Sequence, residues 1–230
     1  MPVALQIPCN TLHFFPITAE NLKKICNAAG LNFNVPDDAT CCGLPLFEKG
    51  ETKAAKNVGE YNLKLYGQNQ IVCTSPKCKC AFETHYPKIF NNTVSHNTSM
   101  NLVRNISDLK DIVRRIGADR LTQISGNYFK VRECGNSSDL FELIPNNETL
   151  IWHQGYMNAT CCGAGTSFPC TGDKTGKEMA ESLINQYLDS GAQAMVFEDD
   201  ICRKHVMNVA EANRTSINTF NIIDLIASVL

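Results

Sequence analysis

The chain has 230 residues, enough to bury one large core or two smaller ones without disulfide cross-links. Its 21 basic and 23 acidic residues give a formal charge of −2, which argues against nucleic acid as a partner and against a polybasic membrane-binding surface. There is no 18-residue apolar run and no secretion signal, so we expect a cytoplasmic protein without a membrane-spanning segment.

Strand and helix patterns alternate in the first half of the chain. Short apolar runs predict strands at 4–7, 32–35, 70–74 and 101–104. Helical periodicity, with glycines behind the last turns, predicts helices from Thr18 to Gly30 and at 51–66. Two further helices are predicted, one containing His85 and one beginning behind an N-cap at Ser107.

The second half repeats this order. Strands are predicted at 128–132, 149–152 and 194–197, and helices at 174–188 and after residue 202. The closing segment 216–230 matches 98–116 if Asn105-Ile106-Ser107-Asp108-Leu109 is aligned with Asn221-Ile222-Ile223-Asp224-Leu225. An internal duplication accounts for the repeated order.

Cysteine placement carries the same duplication. The sequence Cys-Cys-Gly occurs at 41–43 and 161–163, each time between a distant upstream and a distant downstream cysteine. The flanking intervals are 31 and 34 residues in the first set, and 26 and 38 residues in the second. The two sets are Cys9, Cys41, Cys42 and Cys78, and Cys134, Cys161, Cys162 and Cys202.

These patterns predict an α/β fold. We expect two duplicated open lobes with parallel sheets, the first at 1–117 and the second at 128–230, joined by a polar linker at 118–127. Four of the cysteines follow predicted strands, and ligands of parallel sheets bind beyond the carboxyl ends of the strands. Each lobe is therefore expected to carry one Cys-Cys-Gly site at its sheet edge.

The residue types indicate a soft-metal site. Twelve cysteines in a reducing compartment are more typical of metal ligands or redox groups than of disulfides. Adjacent cysteines rarely form a disulfide with each other, and the following glycine permits a sharp turn and close approach of a bulky ligand. Thiolates suit both zinc and iron–sulfur clusters, but the wide spacing is unlike short zinc knuckles. The alternative is that these cysteines are small buried hydrophobic residues.

Other candidate ligands have weaker support. Cys26 on a helical apolar face and Cys73 within a strand are predicted to be core residues, whereas Cys80 and Cys170 remain undecided. His205 lies three residues after Cys202, so one helical turn would let both side chains reach the same metal. A packing or surface role for this histidine is the alternative.

The sequence resembles a known family at these motifs. The motifs are Ile7-Pro8-Cys9, Cys41-Cys42-Gly43-Leu44-Pro45, Thr74-Ser75-Pro76-Lys77-Cys78, His85-Tyr86-Pro87 and their counterparts in the second half. They resemble the cysteine-rich CCG proteins, which include a chain of heterodisulfide reductase, the iron–sulfur chain of glycolate oxidase and the lactate utilisation proteins. The likeness covers nearly the whole chain and is greatest to the lactate utilisation branch.

This resemblance implies a function. It implies electron transfer through iron–sulfur clusters in a complex that oxidises L-lactate to pyruvate, with a ferredoxin-like iron–sulfur subunit and a third lactate-utilisation subunit as partners. The implied ligands are the eight cysteines of the two sets, and the implied cofactor is a 4Fe-4S cluster. No flavin, nicotinamide or catalytic-triad motif is found, so we expect the chain itself to lack the lactate-binding site.

The sequence departs from the full family signature, which ends in Cys-x-x-Cys. The last cysteine is replaced by Ala81 in the first set, where Cys80 lies one residue short, and by His205 in the second. This argues against five-thiolate clusters and favours four-ligand clusters or zinc. Two other functions remain open: a cluster-dependent disulfide reductase subunit, and a zinc-binding scaffold of the complex.

Overall fold

The first half of the chain forms a parallel sheet. The computed structural model describes residues 2–131, 140–144, 147–154, 161–165 and 174–230. Strands β1 (Val3–Gln6), β2 (Phe33–Asn34), β3 (Ile71–Cys73) and β4 (Ile106–Asp108) form a sheet with the order β2-β1-β3-β4. Every pairing between these strands is parallel, so their carboxyl ends lie at the same edge.

Helices connect these strands. The longest is α4, which ends near Gly67, and the region after Cys78 is one continuous helical segment interrupted by a π-helical turn at Ala81–His85. The helices are α1 (Cys9–Phe14), α2 (Pro16–Ala28), α3 (Leu44–Glu48), α4 (Thr52–Tyr66), α5 (Pro76–Cys80), α6 (Tyr86–Ile89), α7 (His96–Asn105) and α8 (Leu109–Arg114).

The second half forms an equivalent sheet. Its strands have the order β6-β5-β7-β8 and are again parallel throughout. The strands are β5 (Gly126–Val131), β6 (Leu150–His153), β7 (Ala194–Phe197) and β8 (Thr219–Asn221). The helices are α9 (Ala118–Leu121), α10 (Lys174–Ser190), α11 (Asp200–Ala212) and α12 (Ile222–Ser228), with a 3-10 turn at Leu140–Leu143. The predicted α/β fold with two duplicated parallel-sheet lobes is confirmed.

The duplication extends to the buried faces of the long helices. Buried positions on α4 reappear on α10 at a constant offset, counted from the sequence numbers, of 121 residues. The equivalent buried pairs are Ala55 and Gly176, Gly59 and Ala180, Asn62 and Leu183, Leu63 and Ile184, and Tyr66 and Tyr187. The two helices therefore pack the same face against their own sheets.

Three details of the sequence interpretation are wrong around β4. The run at 101–104 lies inside α7, whose buried Ser99 and Leu102 are three residues apart as on a helical face. The helix that follows β4 is capped by Asp108 and not by Ser107, because the Asp108 side chain accepts a hydrogen bond from the backbone N–H of Asp111. The alignment of Asn105 with Asn221 is also wrong. In the strand register the counterpart of Asn221 is Asp108, three residues further along the chain.

The two sheets share one hydrophobic core. Helix α2 packs on α12, and a single cluster of buried side chains includes Leu5 and Ile25 from the first half and Val196 and Ile226 from the second. The segment 118–127 contains α9 and the first two residues of β5. The boundaries at 117 and 128 stay a prediction.

Polar contacts also join the halves. Thr11 donates a 2.7 Å hydrogen bond to the carboxylate of Asp200, which also accepts a 2.9 Å bond from Asn221. Arg203 stacks on the ring of Phe15 at 4.3 Å. A buried carboxylate destabilises the fold unless its hydrogen-bond partners are in place. Because α1 supplies one partner of Asp200 on α11, this network favours a single arrangement of the two helices. Within the described residues, no helix is both long and apolar enough to cross a membrane.

Candidate functional site

The first cysteine set lies at the carboxyl edge of the first sheet. Cys9 opens α1 three residues after the last residue of β1, and Cys78 lies in the first turn of α5, which follows β3. Ser75 caps α5, and its hydroxyl accepts a 3.4 Å hydrogen bond from the backbone N–H of Cys78. Contact with Cys42 lowers the pKa of the Cys78 thiol, but contact with Cys73 and burial outweigh it, so that pKa is raised.

The four thiols of this set form a continuous chain of contacts. Cys9 is within hydrogen-bonding reach of Cys41, Cys41 of Cys42, and Cys42 of Cys78. Cys9 is exposed and Cys41 is half-buried, whereas Cys42 and Cys78 are buried. The site therefore has one edge open to solvent and one edge inside the protein.

Gly43 shapes the turn that brings the two adjacent cysteines together. Its φ of 84° lies in the left-handed region, which glycine adopts without the steric cost of a Cβ. In this conformation the backbone N–H of Gly43 points back to Cys41 Sγ at 3.4 Å. The sequence expectation of a sharp glycine turn after the cysteine pair is confirmed.

Protonation is uneven along the thiol chain. Hydrogen bonds from Cys42 and Cys9 lower the pKa of Cys41 to about 3, although its burial acts in the opposite direction. Contact with Cys41 and burial raise the pKa of Cys9, and contact with Cys41 is the largest cause of the raised pKa of Cys42. At neutral pH the metal-free site therefore carries a thiolate at Cys41 between two protonated neighbours.

A polar clamp holds the backbone of the first cysteine pair. Asn62 on α4 donates a 2.9 Å hydrogen bond to the carbonyl of Cys41 and another of 2.9 Å to the hydroxyl of Tyr86. The Tyr86 hydroxyl donates in turn to the carbonyl of Cys42 at 3.0 Å. Asn62 and Tyr86 are both fully buried, so these bonds are shielded from competing water.

The second site repeats the arrangement at the edge of the second sheet. Cys161 contacts Cys162, and Cys162 contacts Cys202, in the same order as their counterparts in the first lobe. Asp199 caps α11, and its carboxylate accepts hydrogen bonds from the backbone N–H groups of Ile201 at 2.8 Å and Cys202 at 3.1 Å. The fourth cysteine of this set, Cys134, lies outside the described residues.

The second glycine turn is stabilised by backbone packing and not by a polar clamp. Gly163 has a φ of 79°, and its backbone N–H lies 3.4 Å from Cys161 Sγ, as in the first site. A Cβ on Gly163 would lie 2.4 Å from the carbonyl oxygen of Gly176 on α10. That same carbonyl oxygen accepts a 2.9 Å hydrogen bond from Nε2 of the buried His205. Two glycines in direct backbone contact, fixed by a histidine, thus replace the polar clamp.

The remaining candidates occupy distinct environments. Cys80 is exposed, and its sulfur lies 3.9 Å from the Thr84 hydroxyl. Cys26 is buried in the shared core, where burial raises its pKa to about 11. His205 directs Nε2 to a backbone carbonyl, and Cys170 lies outside the described residues.

No compact single-ion site is present in the part of the chain that the structure describes. There, no group of three or more His, Cys, Asp or Glu side chains is arranged so that it could hold a metal ion. The thiols of the first set instead touch in sequence, from the exposed Cys9 to the buried Cys78. The donor set has the soft chemistry of a thiolate-bound group.

Three residues near the first site were missed in the sequence interpretation. Asn62 is distant from the cysteines in sequence, and Tyr86 belongs to the His85-Tyr86-Pro87 motif, but nothing in the sequence indicates their hydrogen bonds to the cysteine loop, which depend on packing between α4 and α6. Cys73 is buried as predicted, but its thiol is within hydrogen-bonding reach of Cys78. The available signal for Asn62 was a polar residue on the apolar face of an amphipathic helix.

Comparisons with known proteins agree with this arrangement. Lactate utilization protein A of Halalkalibacterium halodurans is 21% identical to the chain, covering 91% of the chain and 88% of the relative. Lactate utilization protein A 1 of Bacillus anthracis and lactate utilization protein A 2 of Bacillus cereus are each 22% identical, covering 99% of the chain and 98% of the relative. The family model of the cysteine-rich domain CCG matches residues 3–83 and 134–207, which include both cysteine sets. The chain therefore belongs to the CCG cysteine-rich domain family.

Proposed function

We propose that the protein is an iron–sulfur electron-transfer subunit of a system that oxidises L-lactate to pyruvate. The single observation that carries this proposal is the chain of thiol contacts from Cys9 through Cys41 and Cys42 to Cys78, matched in the second lobe by the contacts from Cys161 through Cys162 to Cys202. The names of the relatives supply the substrate. The proposed ligands are the two sets of four cysteines, including Cys134.

The donor chemistry fits such a group. Four thiols with no competing oxygen or nitrogen donor in their contact chain suit a soft, thiolate-ligated centre. The left-handed turns at Gly43 and Gly163 direct the backbone N–H of each glycine to the sulfur of the first cysteine of its pair, a hydrogen bond that favours a thiolate there. The soft donor set suits an iron–sulfur cluster and zinc alike, and the family resemblance favours the cluster.

The chain's own residues have assigned tasks in this proposal. Cys41 supplies a ready thiolate, whereas Cys9 and Cys42 must release their protons on binding the metal. The helix caps Ser75 and Asp199 position Cys78 and Cys202 by bonding their backbone N–H groups. When bound, iron–sulfur clusters supply one-electron transfer.

Partners and location are part of the same proposal. L-lactate loses two electrons and two protons on conversion to pyruvate, and that step normally needs a cofactor able to accept a hydride or its equivalent. We place that cofactor outside this chain, with a ferredoxin-like iron–sulfur subunit and a third lactate-utilisation subunit as partners in the cytoplasm. The exposed Cys9 edge is the route by which electrons would reach a partner.

Metal analysis of matched variants tests the proposal. Protein reconstituted under anaerobic conditions should be brown, with absorbance near ~400 nm that a zinc protein lacks, and should contain iron at both sites. Cys42→Ser should lose the iron of the first site and keep that of the second. Cys26→Ser is the control: it should keep all the iron, although burying a hydroxyl in the core costs about 1–3 kcal/mol of stability.

Three results would contradict this function. Zinc without iron after anaerobic reconstitution would favour the structural scaffold. Equal iron loss in Cys26→Ser and Cys42→Ser, with normal thermal melting, would contradict the division between ligands and core. Rapid lactate oxidation by the purified single chain with an artificial acceptor would overturn its assignment as a subunit that only transfers electrons.

A further inference from the structure

A side chain of the first lobe contacts the helical turn that carries the last cysteine of the second site. Lys77 precedes Cys78 in the chain, and its Nζ lies 3.4 Å from Oδ1 of Asp199 in the second lobe. The same oxygen accepts hydrogen bonds from the backbone N–H groups of Ile201 at 2.8 Å and Cys202 at 3.1 Å. One carboxylate oxygen therefore joins a lysine beside the first site to a cysteine of the second.

This ion pair is shielded from solvent. The side chain of Asp199 is 4% exposed and that of Lys77 is 16% exposed. Removing one partner of a buried ion pair is strongly destabilising, because the remaining charge then has neither water nor a counter-ion, whereas exposed pairs contribute little. Without Lys77, the Asp199 carboxylate would be more stable turned toward solvent, and the two N–H groups that it caps would lose their acceptor.

The cap of the first site has no charge to neutralise. At the offset of 124 residues between the last cysteines of the two sets, at 78 and 202, the counterpart of Asp199 is Ser75. Ser75 caps α5 with a neutral hydroxyl. At the same offset Lys77 corresponds to Ile201, so an apolar side chain occupies the equivalent position in the second lobe. The charged cap of the second site therefore takes its cation from the first lobe.

We infer that Lys77 is a positioning residue of the second site: by holding the Asp199 carboxylate in place, it completes the capped turn that presents Cys202 to the metal centre. This role rests on the proposed function, in which Cys202 is a ligand. Contacts around a ligand fix its orientation, and their loss typically lowers metal affinity by about 10–100-fold. Because Lys77 belongs to the other lobe, the second site is complete only when the two lobes are packed together.

Amide hydrogen exchange of the metal-free full chain tests the positioning. The N–H groups of Ile201 and Cys202 lie in the first turn of α11, where a helix provides no carbonyl acceptor of its own, so their protection reports the Asp199 cap. Lys77→Met should speed exchange at both amides about tenfold, because a hydrogen bond to a charged group is lost. Lys77→Arg retains the charge and should exchange at a rate close to that of the parent.

Lys79 provides a matched control. It follows Cys78 as Lys77 precedes it, but it pairs with Glu83 and Asp108 of the first lobe. Lys79→Met therefore removes a cation from the same helical turn without removing the partner of the second-site cap. It should leave exchange at residues 201 and 202 unchanged.

Glu48→Gln is a second control. Burial raises the pKa of Glu48 on α3 and Lys77 opposes that effect, so the lysine also influences a group of its own lobe. Glu48→Gln removes this interaction and keeps the pair with Asp199, so it should leave the cap unchanged. Faster exchange at Ile201 and Cys202 in Glu48→Gln would mean that Lys77 acts through the first lobe, and would overturn the inference.

Iron retention tests the consequence for the second site. In a Cys42→Ser background, which keeps only that site, Lys77→Met should weaken retention of iron against a chelator about tenfold. In a Cys162→Ser background, which keeps only the first site, the same change should leave retention unchanged. Adding Asp199→Asn to the Cys42→Ser background completes the cycle, because asparagine can still accept the N–H groups but has no charge. There, Lys77→Met should have no further effect.

The remaining outcomes separate this role from the proposed function. A parent protein without iron contradicts the proposed function, and the exchange measurement still decides the positioning. Unchanged exchange in Lys77→Met overturns the inference, as does equal weakening of both sites, which would make Lys77 a local support of Cys78. If Lys77→Met does not fold, Lys77→Gln takes its place, and exchange at the parent rate would overturn the inference in the same way.

Discussion

The two Cys-Cys-Gly loops have the same backbone turn but different supports. In the first lobe, Asn62 and Tyr86 bind the carbonyls of the cysteine pair through hydrogen bonds. In the second, the counterpart of Asn62 is Leu183, and the loop instead rests on backbone contact between Gly163 and Gly176. A duplicated chain has thus kept the ligand geometry while changing how it is stabilised. The ligand arrangement is the constrained feature, and several packing solutions can support it.

The largest expected effect comes from the glycine of the second loop. Gly43→Ala and Gly163→Ala both introduce a Cβ at positive φ, which costs about 1–2 kcal/mol. The new Cβ of Gly43→Ala would meet only side chains, the nearest being Val58 at 3.4 Å, whereas that of Gly163→Ala would lie 2.4 Å from a backbone oxygen. Such overpacking adds about 1–3 kcal/mol, so Gly163→Ala should lower the free energy of unfolding by more.

Urea unfolding of the metal-free protein measures this difference. Gly191→Ala is the control, because Gly191 has a φ of 67° and no atom within 4 Å of an added Cβ. Gly191→Ala should lower the free energy of unfolding only by the cost of a Cβ at positive φ. Equal losses in Gly43→Ala and Gly163→Ala would mean that the contact between the two glycines is not a rigid support.

The next effect concerns the polar clamp of the first loop. Asn62→Leu copies the second lobe and leaves the Cys41 carbonyl without its hydrogen bond, which should cost about 1–3 kcal/mol of unfolding free energy. Tyr86→Phe should cost a similar amount by leaving the Cys42 carbonyl unpaired. Because the two side chains also bind each other, the double variant should lose less than the sum.

Two control substitutions separate the contribution of the polar clamp from the general effect of changing a side chain on stability. Tyr61→Phe removes a hydroxyl that binds Asp38 at the surface and should change stability by less than about 0.5 kcal/mol. Leu183→Asn places an amide at the equivalent position of the second lobe, in the hydrophobic cluster that also contains Val209 and Ala210. It should destabilise the protein, since that amide would be buried without a partner. A neutral Leu183→Asn would contradict the view that the supports are not interchangeable.

Much of the fold could be predicted from the sequence because it depends on local patterns. The order of strands and helices follows from short apolar runs and helical periodicity, and the duplication follows from the spacing of the cysteines. The prediction of a strand at 101–104 is wrong because a short apolar run does not distinguish a strand from one face of a helix. Leu102 lies on the buried face of α7. The prediction of Ser107 as the cap is wrong because the neighbouring Asp108 can also accept the capping hydrogen bond, and a sequence pattern does not distinguish two such adjacent residues.

The supports of the site could not be predicted because they depend on distant packing. Asn62 reaches Tyr86 only after α4 and α6 have packed together, and no spacing rule relates these positions. Cys73 was assigned to the core from its strand position, which is correct for its burial but says nothing about its contact with Cys78. Ligand types and their approximate location were thus readable from sequence, whereas the residues that orient the ligands required the fold.

The smallest expected effect is a pH dependence specific to the second lobe. Burial lowers the pKa of His205, although its hydrogen bond to Gly176 acts in the opposite direction. Its counterpart in the first lobe is Ala81, which does not titrate. Ala81 precedes His205 by 124 residues, the same offset that separates Cys78 from Cys202. A base with a lowered pKa in the folded state contributes stability that is present above its unfolded pKa and is lost as the pH falls. The stability of the metal-free protein should therefore decline below about pH 6.5, by at most about 1.4 kcal/mol per pH unit.

His205→Gln isolates this contribution, because the amide of glutamine can still donate to the Gly176 carbonyl but does not titrate. The difference in unfolding free energy between parent and variant is the quantity to follow from pH 7.5 to 5, since two other groups act in the same range. The Cys41 thiol, whose pKa is lowered to about 3, makes stability rise with pH throughout this range, equally in both proteins. Burial raises the pKa of Asp200 to about 6, which makes stability fall with increasing pH between about 4 and 6, the opposite direction. That contribution is present in both proteins and cancels in the difference. The variant should gain relative to the parent as the pH falls, and a constant difference would mean that His205 is not held neutral by its burial.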